Sequence, residues 1–128
     1  MNRDQLTKCI DAIEESYEFF LAFAAQGVSG DEASRSEAQL RELLERTDGA
    51  LTSLVDHLPA LIEHEKLEPP ETYHAAIEVV RRDAGFARAA VRLVLAQPRI
   101  SSQLIDNLNA SVHVRALLTD LFLLDEVV

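Results

Sequence analysis

The residues of this chain best suited to carry chemistry are polar side chains within apolar helical stretches. Asp83 lies among the apolar residues of one stretch, and Asn107, Ser111 and Arg115 recur at four-residue spacing in the next. A buried charge is costly unless an opposite charge neutralises it, and in a helical hairpin formed by these stretches residues 83 and 115 lie at one level. The spacing predicts a buried polar network of these four residues, centred on an Asp83–Arg115 ion pair. The pair could fix the register of the hairpin or belong to a ligand or catalytic site, because perturbed charges also gather at active sites.

A second group of polar residues is basic. His74, Arg81, Arg88 and Arg92 follow one flank of the same helical stretch at spacings of seven and four. Such a row could bind an anion or an acidic partner through bidentate hydrogen bonds. Alternatively, it pairs with a neighbouring acidic helix, as flanking positions of bundles do. The carboxylates available for that pairing are Glu14, Glu18, Glu42 and Glu45.

Catalytic and metal-binding patterns are incomplete. Di-metal helical bundles use two Glu-x-x-His motifs, and this chain has one, Glu71 to His74, at the start of a predicted helix. Cys9 lies on an apolar face, where a thiol packs as a small hydrophobe. The four glycines are scattered and form no phosphate-binding loop. The sequence therefore predicts no catalytic residues, no metal and no cofactor, and it favours a protein that is not an enzyme.

A short run around His113 offers a different activity. The residues from Ala110 to Ala116 resemble the phosphate-accepting segment of histidine phosphotransfer domains, which are four-helix bundles with a solvent-facing histidine in mid-helix. Those domains typically have lysine and glycine shortly after the histidine, whereas this chain has Arg115 and then Ala116. The resemblance covers only these residues and implies that His113 accepts phosphate. The alternative is an ordinary surface histidine.

The elements that position these residues are four helices. Apolar residues alternate at spacings of four and three in four stretches, the period of helices packed at shallow angles. The predicted helices span about residues 4–26, 34–64, 70–96 and 101–126. Because the turns between them are short, we expect one domain, residues 1–128, folded as an all-α antiparallel up-down-up-down four-helix bundle.

Local signals set the helix boundaries. Gly27 suits a helix C-terminal cap, and the Ser34 to Glu37 segment is a capping-box pattern. Pro59 removes an internal hydrogen bond, so the second helix is predicted to be kinked or broken there. Pro70 suits the first turn of the third helix. Ser101 is the predicted N-terminal cap of the fourth.

The apolar arcs on three of the four helices are wider than one bundle needs. The fourth helix in particular is apolar around most of its circumference. Such excess apolar surface indicates a further interface, most simply with a second copy of the chain. The predicted interface residues are Phe19, Phe23, Phe86, Leu93, Leu121 and Leu124.

Composition excludes several classes of protein. The formal net charge of −10 disfavours binding to nucleic acid, whose phosphates a negative surface repels. One cysteine cannot form an intrachain disulfide, and the sequence predicts neither a signal peptide nor a membrane span. We expect a cytoplasmic protein with no membrane partner, and the preference for arginine over lysine suggests a bacterial source.

These observations favour a non-catalytic helical interaction module, namely an adaptor, assembly factor or regulator that acts as a homodimer and binds another protein. Two other functions stay open. One is a ligand- or metal-binding bundle with its site around Asp83 and Arg115, and the other is phosphotransfer through His113.

Overall fold

The computed structural model describes residues 1–26 and 30–128, with the backbone alone at residues 30–34. This part of the chain is 88% helix and contains no strand, which confirms the predicted all-α class. It has five helices of nine residues or more and two short helical segments. In chain order these are α1 (Arg3–Gln26), α2 (Gly30–His57), a 3-10 turn (Leu58–Ala60), α3 (Leu61–His64), α4 (Pro70–Leu95), α5 (Ser102–Ala110) and α6 (Val112–Val127).

The long helices pack in sequence order around one apolar core. Helix α2 lies between α1 and α4, α4 packs against α6, and α5 closes the assembly against α1. Each helix contributes the apolar stripe predicted from its 3.5-residue period. Fully buried side chains at the centre of the core include Leu6, Leu44, Leu51, Leu54, Ile77 and Leu117.

Pro59 ends the second helix, as predicted. Helix α2 stops at His57 and the 3-10 turn follows, with Pro59 in its first turn. Proline has no N–H to donate to the carbonyl four residues earlier, which belongs to Val55. Nε of Arg81 on α4 donates to that carbonyl at 2.8 Å. A basic side chain of the neighbouring helix therefore replaces the hydrogen bond that the proline removes.

The other boundary signals of the second and third helices have mixed outcomes. Helix α2 begins at Gly30, so the predicted start at residue 34 is wrong. The expected cap at Gly27 and the capping role of the Ser34 side chain lie outside the described residues. Pro70 does begin α4. Before it, Lys66 adopts a left-handed φ of 51°, and the N–H of Leu67 reaches back to the carbonyl of Ile62, which closes the end of α3.

The fourth predicted helix is two helices, and here the sequence-based expectation is wrong. The start is correct, since the Ser101 hydroxyl accepts a hydrogen bond from the N–H of Leu104. However, Ser111 has an extended backbone with ψ of 128°, which separates α5 from α6. On the two sides of this break the chain packs against different neighbours, α5 mainly against α1 and α6 mainly against α4. A single fourth helix, and with it the simple four-helix bundle, is not observed.

The break changes which side of the chain is buried. Helix α5 buries Ile105 and Leu108 against α1, whereas α6 buries Leu117 and Leu121 against α4. On one straight helix at 100° per residue, these two pairs would lie on nearly opposite sides. The fold of one chain thus buries part of the apolar surface of the predicted fourth helix, whereas Val112, Phe122, Leu123 and Val127 of α6 stay exposed.

Candidate protein-interaction surface

Helices α4 and α6 share an outward face that carries most of the large exposed apolar side chains of the described residues. On α4, Val79, Phe86 and Leu93 recur every seven residues and therefore point in one direction. Val112, Leu123 and Val127 extend this surface on the adjacent α6. The exposed fractions of these six side chains range from 48% to 70%. We call this surface the α4/α6 face.

The two ends of the α4/α6 face differ in shape. Towards the start of α4 the face is hollowed into a groove of about 540 Å³. At the other end, Phe86 and Leu93 stand out from α4, both more than half exposed. The residues that line the groove are mainly apolar: Glu68, Pro69, Thr72, Tyr73, Ala76, Val79, Val80, Asp120, Leu123, Leu124 and Val127.

Two carboxyl groups meet between the groove and the protruding end. Asp83 of α4 and Asp120 of α6 lie within hydrogen-bonding reach of each other, and both are half-buried. Oδ2 of Asp120 is buried and no described N–H or O–H donates to it. Burial, together with the hydrogen bond and the negative charge of Asp83, raises the pKa of Asp120 to about 7. Two carboxylates can only accept, so a hydrogen bond between them requires one proton.

The predicted ion pair is therefore replaced by an acid pair. Arg115 is exposed, and no ion pair joins it to Asp83 within the described part of the chain. Asn107 is also exposed and accepts a hydrogen bond from Gln103 on its own helix. Ser111 forms the break between α5 and α6. The predicted buried network of these residues is not assembled, because the break turns the side chains of α5 relative to those of α6.

Two polar residues of the segment predicted as the fourth helix are buried or half-buried, although neither is among the site residues predicted from the sequence. One is Asp120, and the other is Asn109, which is 6% exposed with no hydrogen-bond partner for either polar side-chain atom among the described residues. Asn109 lines a small, mainly apolar cavity of about 20 Å³, which has room for about one water molecule. No periodic signal could have revealed either residue without knowledge of the break.

The basic row faces α2, in agreement with the interhelical interpretation. Nε of Arg92 pairs with Asp48 at 2.8 Å, Arg88 contacts the Thr52 hydroxyl at 3.5 Å, and Arg81 binds the Val55 carbonyl. Their partners are different from those expected, since Glu14, Glu18, Glu42 and Glu45 do not pair with them. His74 is exposed and lies beside a shallow hollow with Glu63 and Glu71.

A clamp that the sequence did not suggest fixes the turn between α4 and α5. Arg41 on α2 donates to the carbonyl oxygens of Leu95 and Gln97, the latter at 2.7 Å, and also pairs with Glu37. Glu37 in turn accepts the N–H of Ile100 at 2.9 Å. The sequence presents this pair only as one i, i+4 pair among others, so the long-range contacts could not be predicted.

The predicted interface residues divide between core and surface. Phe23, Leu121 and Leu124 are buried within one chain and cannot form an interface, so these predictions are wrong. Phe19 is half-buried and stacks on Phe23, with ring centroids 6.5 Å apart. Phe86 and Leu93 are exposed and belong to the α4/α6 face.

Histidine and cysteine chemistry is limited in the described residues. His113 is exposed, and its ring centroid lies 5.0 Å from that of Phe86. Burial raises the pKa of the Cys9 thiol, which lowers its reactivity as a thiolate. Within residues 1–26 and 30–128, no three His, Cys, Asp or Glu side chains come together as possible metal ligands. No helix in these ranges has the length and apolar content needed to cross a membrane.

Comparison of the chain with protein-family models, with curated proteins and with solved structures gave no match in any of the three.

Proposed function

We propose that this chain is a non-catalytic protein-interaction module that acts as a homodimer, with the α4/α6 face as its self-association surface. The observation that carries the proposal is the set of six exposed apolar side chains on two packed helices, three of them at seven-residue spacing on α4. Large contiguous apolar patches on a folded chain are typical of interaction sites. A layer of two packed helices is also half of a four-helix bundle, so two copies complete one between them.

The exposed area is sufficient for a dimer. At about 150–200 Å² for a whole large apolar side chain, the six residues of the face expose on the order of 500–700 Å². Two copies placed face to face would bury on the order of 1,000–1,400 Å² from these residues alone, which reaches the lower limit of about 1,000 Å² for a specific interface.

The shape of the face suits a second copy. A symmetric dimer needs a surface that complements itself. Phe86 and Leu93 lie three and ten residues after Asp83, whereas Val79 and Thr72, which are exposed and line the groove, lie four and eleven residues before it. A two-fold axis at the level of Asp83 would therefore align the protruding side chains of each copy with the groove of the other, with the two α4 helices antiparallel.

The alternatives draw less support from the structure. A ligand-binding bundle would need a polar site formed by Asp83 and Arg115, but Arg115 is exposed and forms no ion pair with Asp83 within the described part of the chain. Phosphotransfer through His113 stays a hypothesis, which incubation with a labelled phosphate donor would test.

Three further predictions rest on the sequence alone. They are a cytoplasmic location, a bacterial source, and an adaptor, assembly or regulatory role with a further protein partner. The four-helix bundle remains an interpretation in which α5 and α6 together take the place of the predicted fourth helix.

Light scattering coupled to size exclusion tests the homodimer. We expect a mass of twice 14.2 kDa for the unmodified chain and monomers for Phe86→Asp and Leu93→Glu, with unchanged helical circular dichroism. Leu21→Glu is the matched control, because Leu21 is an exposed apolar residue of α1 outside the face. It should stay dimeric.

Two results would overturn the homodimer. One is a 14.2 kDa monomer for the unmodified chain over a wide concentration range, which would leave the face to a different partner. The other is a dimer that both charge substitutions leave intact.

A further inference from the structure

The acid pair lies at the centre of the proposed interface. Asp83 and Asp120 separate the groove from the protruding Phe86 and Leu93, and apolar residues of the α4/α6 face lie on both sides. In the antiparallel arrangement proposed above, the two-fold axis passes at the level of this pair. Two acid pairs, one from each copy, would then meet at the axis and lose their contact with water.

Within the described residues, no basic side chain forms an ion pair with Asp83 or Asp120. Across from Asp120, α4 presents Asp83 itself. Arg82 of α4 and Arg115 of α6 are exposed, and neither forms an ion pair with either carboxylate. Asp125 of α6 lies on the side of that helix near α1, where burial and its negative charge contribute to the raised pKa of Glu14. The acids at the contact between α1 and α6 therefore add negative charge to this part of the molecule.

Other titratable groups on this surface are His113 of α6, which contacts Phe86, and Glu68 and Tyr73, which line the groove. His113 lies seven residues, or about 10 Å along the helix, from Asp120. Asp106, the acid of α5, is exposed. Because no described basic side chain pairs with Asp83 or Asp120 within one chain, proton uptake is a means by which the buried pair can lose its charge.

We infer that self-association through the α4/α6 face is coupled to proton uptake by the Asp83–Asp120 pairs, so that acidification favours the dimer and alkaline pH releases it. This inference rests on the proposed homodimer. Burying four carboxyl groups in their fully charged form would combine a desolvation cost with repulsion between like charges. If each pair instead holds one proton, a hydrogen bond replaces the repulsion within it.

The direction of the pH dependence follows from linkage. Removing water from the pair raises its proton affinity, so the dimer holds its protons to higher pH than the monomer, in which the pKa of Asp120 is about 7. The dimer dissociation constant should therefore rise as the pH increases above about 7. The rise is at most about tenfold per pH unit for each proton taken up, hence up to about 100-fold for two protons. Well below pH 7 the dependence should flatten, because the monomer pair is then protonated as well.

Sedimentation equilibrium on the full chain between about pH 6 and about pH 9 measures this dependence. We expect the dissociation constant to rise at least about tenfold over that range. The double variant Asp83→Asn, Asp120→Asn should form a dimer whose affinity is nearly independent of pH. Asp125→Asn is the control, since it also removes a charge from α6 but alters an exposed residue outside the pair; its pH dependence should match that of the unmodified chain.

The outcomes separate the two proposals. A monomer at every pH would overturn the homodimer. A dimer whose affinity is constant with pH, or which tightens as pH rises, would overturn proton coupling while the homodimer stands. A double Asn variant that keeps the full pH dependence would also overturn it, and circular dichroism of that variant establishes that it is folded.

Discussion

The two flanks of α4 handle polar groups in opposite ways. On the flank that faces α2, Arg81 and Arg92 each reach an oxygen of the neighbouring helix at 2.8 Å. On the flank that faces α6, an acid meets an acid, and the apolar residues around it remain about half exposed. The first flank is complete within one chain. The flank that faces α6 carries large apolar residues of the kind found in a protein core, but these residues are exposed.

This difference separates the residues whose positions are explained by contacts within one chain from those whose positions are not. Arg81 is accounted for by the carbonyl of Val55, which Pro59 leaves without a donor. The wide arc of α1 is also accounted for, since Ala12 and Phe23 are buried in the core. Phe86, Leu93 and the Asp83–Asp120 pair have no such partner within the described residues. Only the α6 flank of α4 is therefore offered as an interface.

The largest expected contrast is between a core residue and a residue of the α4/α6 face. Leu54 of α2 has no exposed surface, whereas Leu93 is 66% exposed. Leu54→Ala should lower the free energy of unfolding by about 2–5 kcal/mol through lost burial and cavity formation. Leu93→Ala, measured on dilute protein in which the monomer predominates, should change it by less than about 0.5 kcal/mol. Urea unfolding checks both values, and a loss above about 2 kcal/mol for monomeric Leu93→Ala would mean that the face is part of the fold.

An intermediate effect is expected on the α2 flank. Arg81→Ala removes the donor to the Val55 carbonyl and should cost about 1–2 kcal/mol. In a Pro59→Ala background, the restored N–H of residue 59 can donate to the same carbonyl, so the loss should fall by about 1 kcal/mol. A double-mutant cycle by urea unfolding measures this coupling. Arg46→Ala is the control, because its pair with Glu15 is exposed and worth little; additive losses in the cycle would show that Arg81 does not compensate for the proline.

The smallest expected effect concerns the acid pair in the monomer. Because folding raises the pKa of Asp120 from 3.8 to about 7, the folded chain binds a proton more tightly than the unfolded chain. Stability from this group is thus fully present below about pH 4 and is lost as the pH rises to about 7. Because both carboxyl groups are only half-buried, water screens their repulsion and reduces its effect on stability. Asp120→Asn should therefore raise the melting temperature by only about 2–6 °C at pH 8 and leave it nearly unchanged at pH 4. Thermal unfolding of dilute protein measures both melting temperatures. An equal rise in melting temperature at pH 4 and pH 8 would contradict a proton shared between Asp83 and Asp120.

Much of the fold could be predicted because its signals are local. The 3.5-residue apolar period identified the long stretches, Pro59 and Pro70 placed two boundaries, and Ser101 placed a third. Each of these acts through the backbone of its own turn, so a single sequence suffices. The break at Ser111 was missed because neither Asn nor Ser ends a helix by itself, and the packing of α5 on α1 and of α6 on α4 selects it.

The candidate site depended on that break. A continuous fourth helix brings Arg115 towards Asp83, whereas the broken one brings Asp120. The sequence alone identified this chain as helical and acidic, because periodicity and composition require no knowledge of neighbours. Only the tertiary structure decided which apolar side chains stay exposed and which acid meets Asp83. A side chain's direction across a helix break is set by what each half packs against, and that information is not carried by spacing.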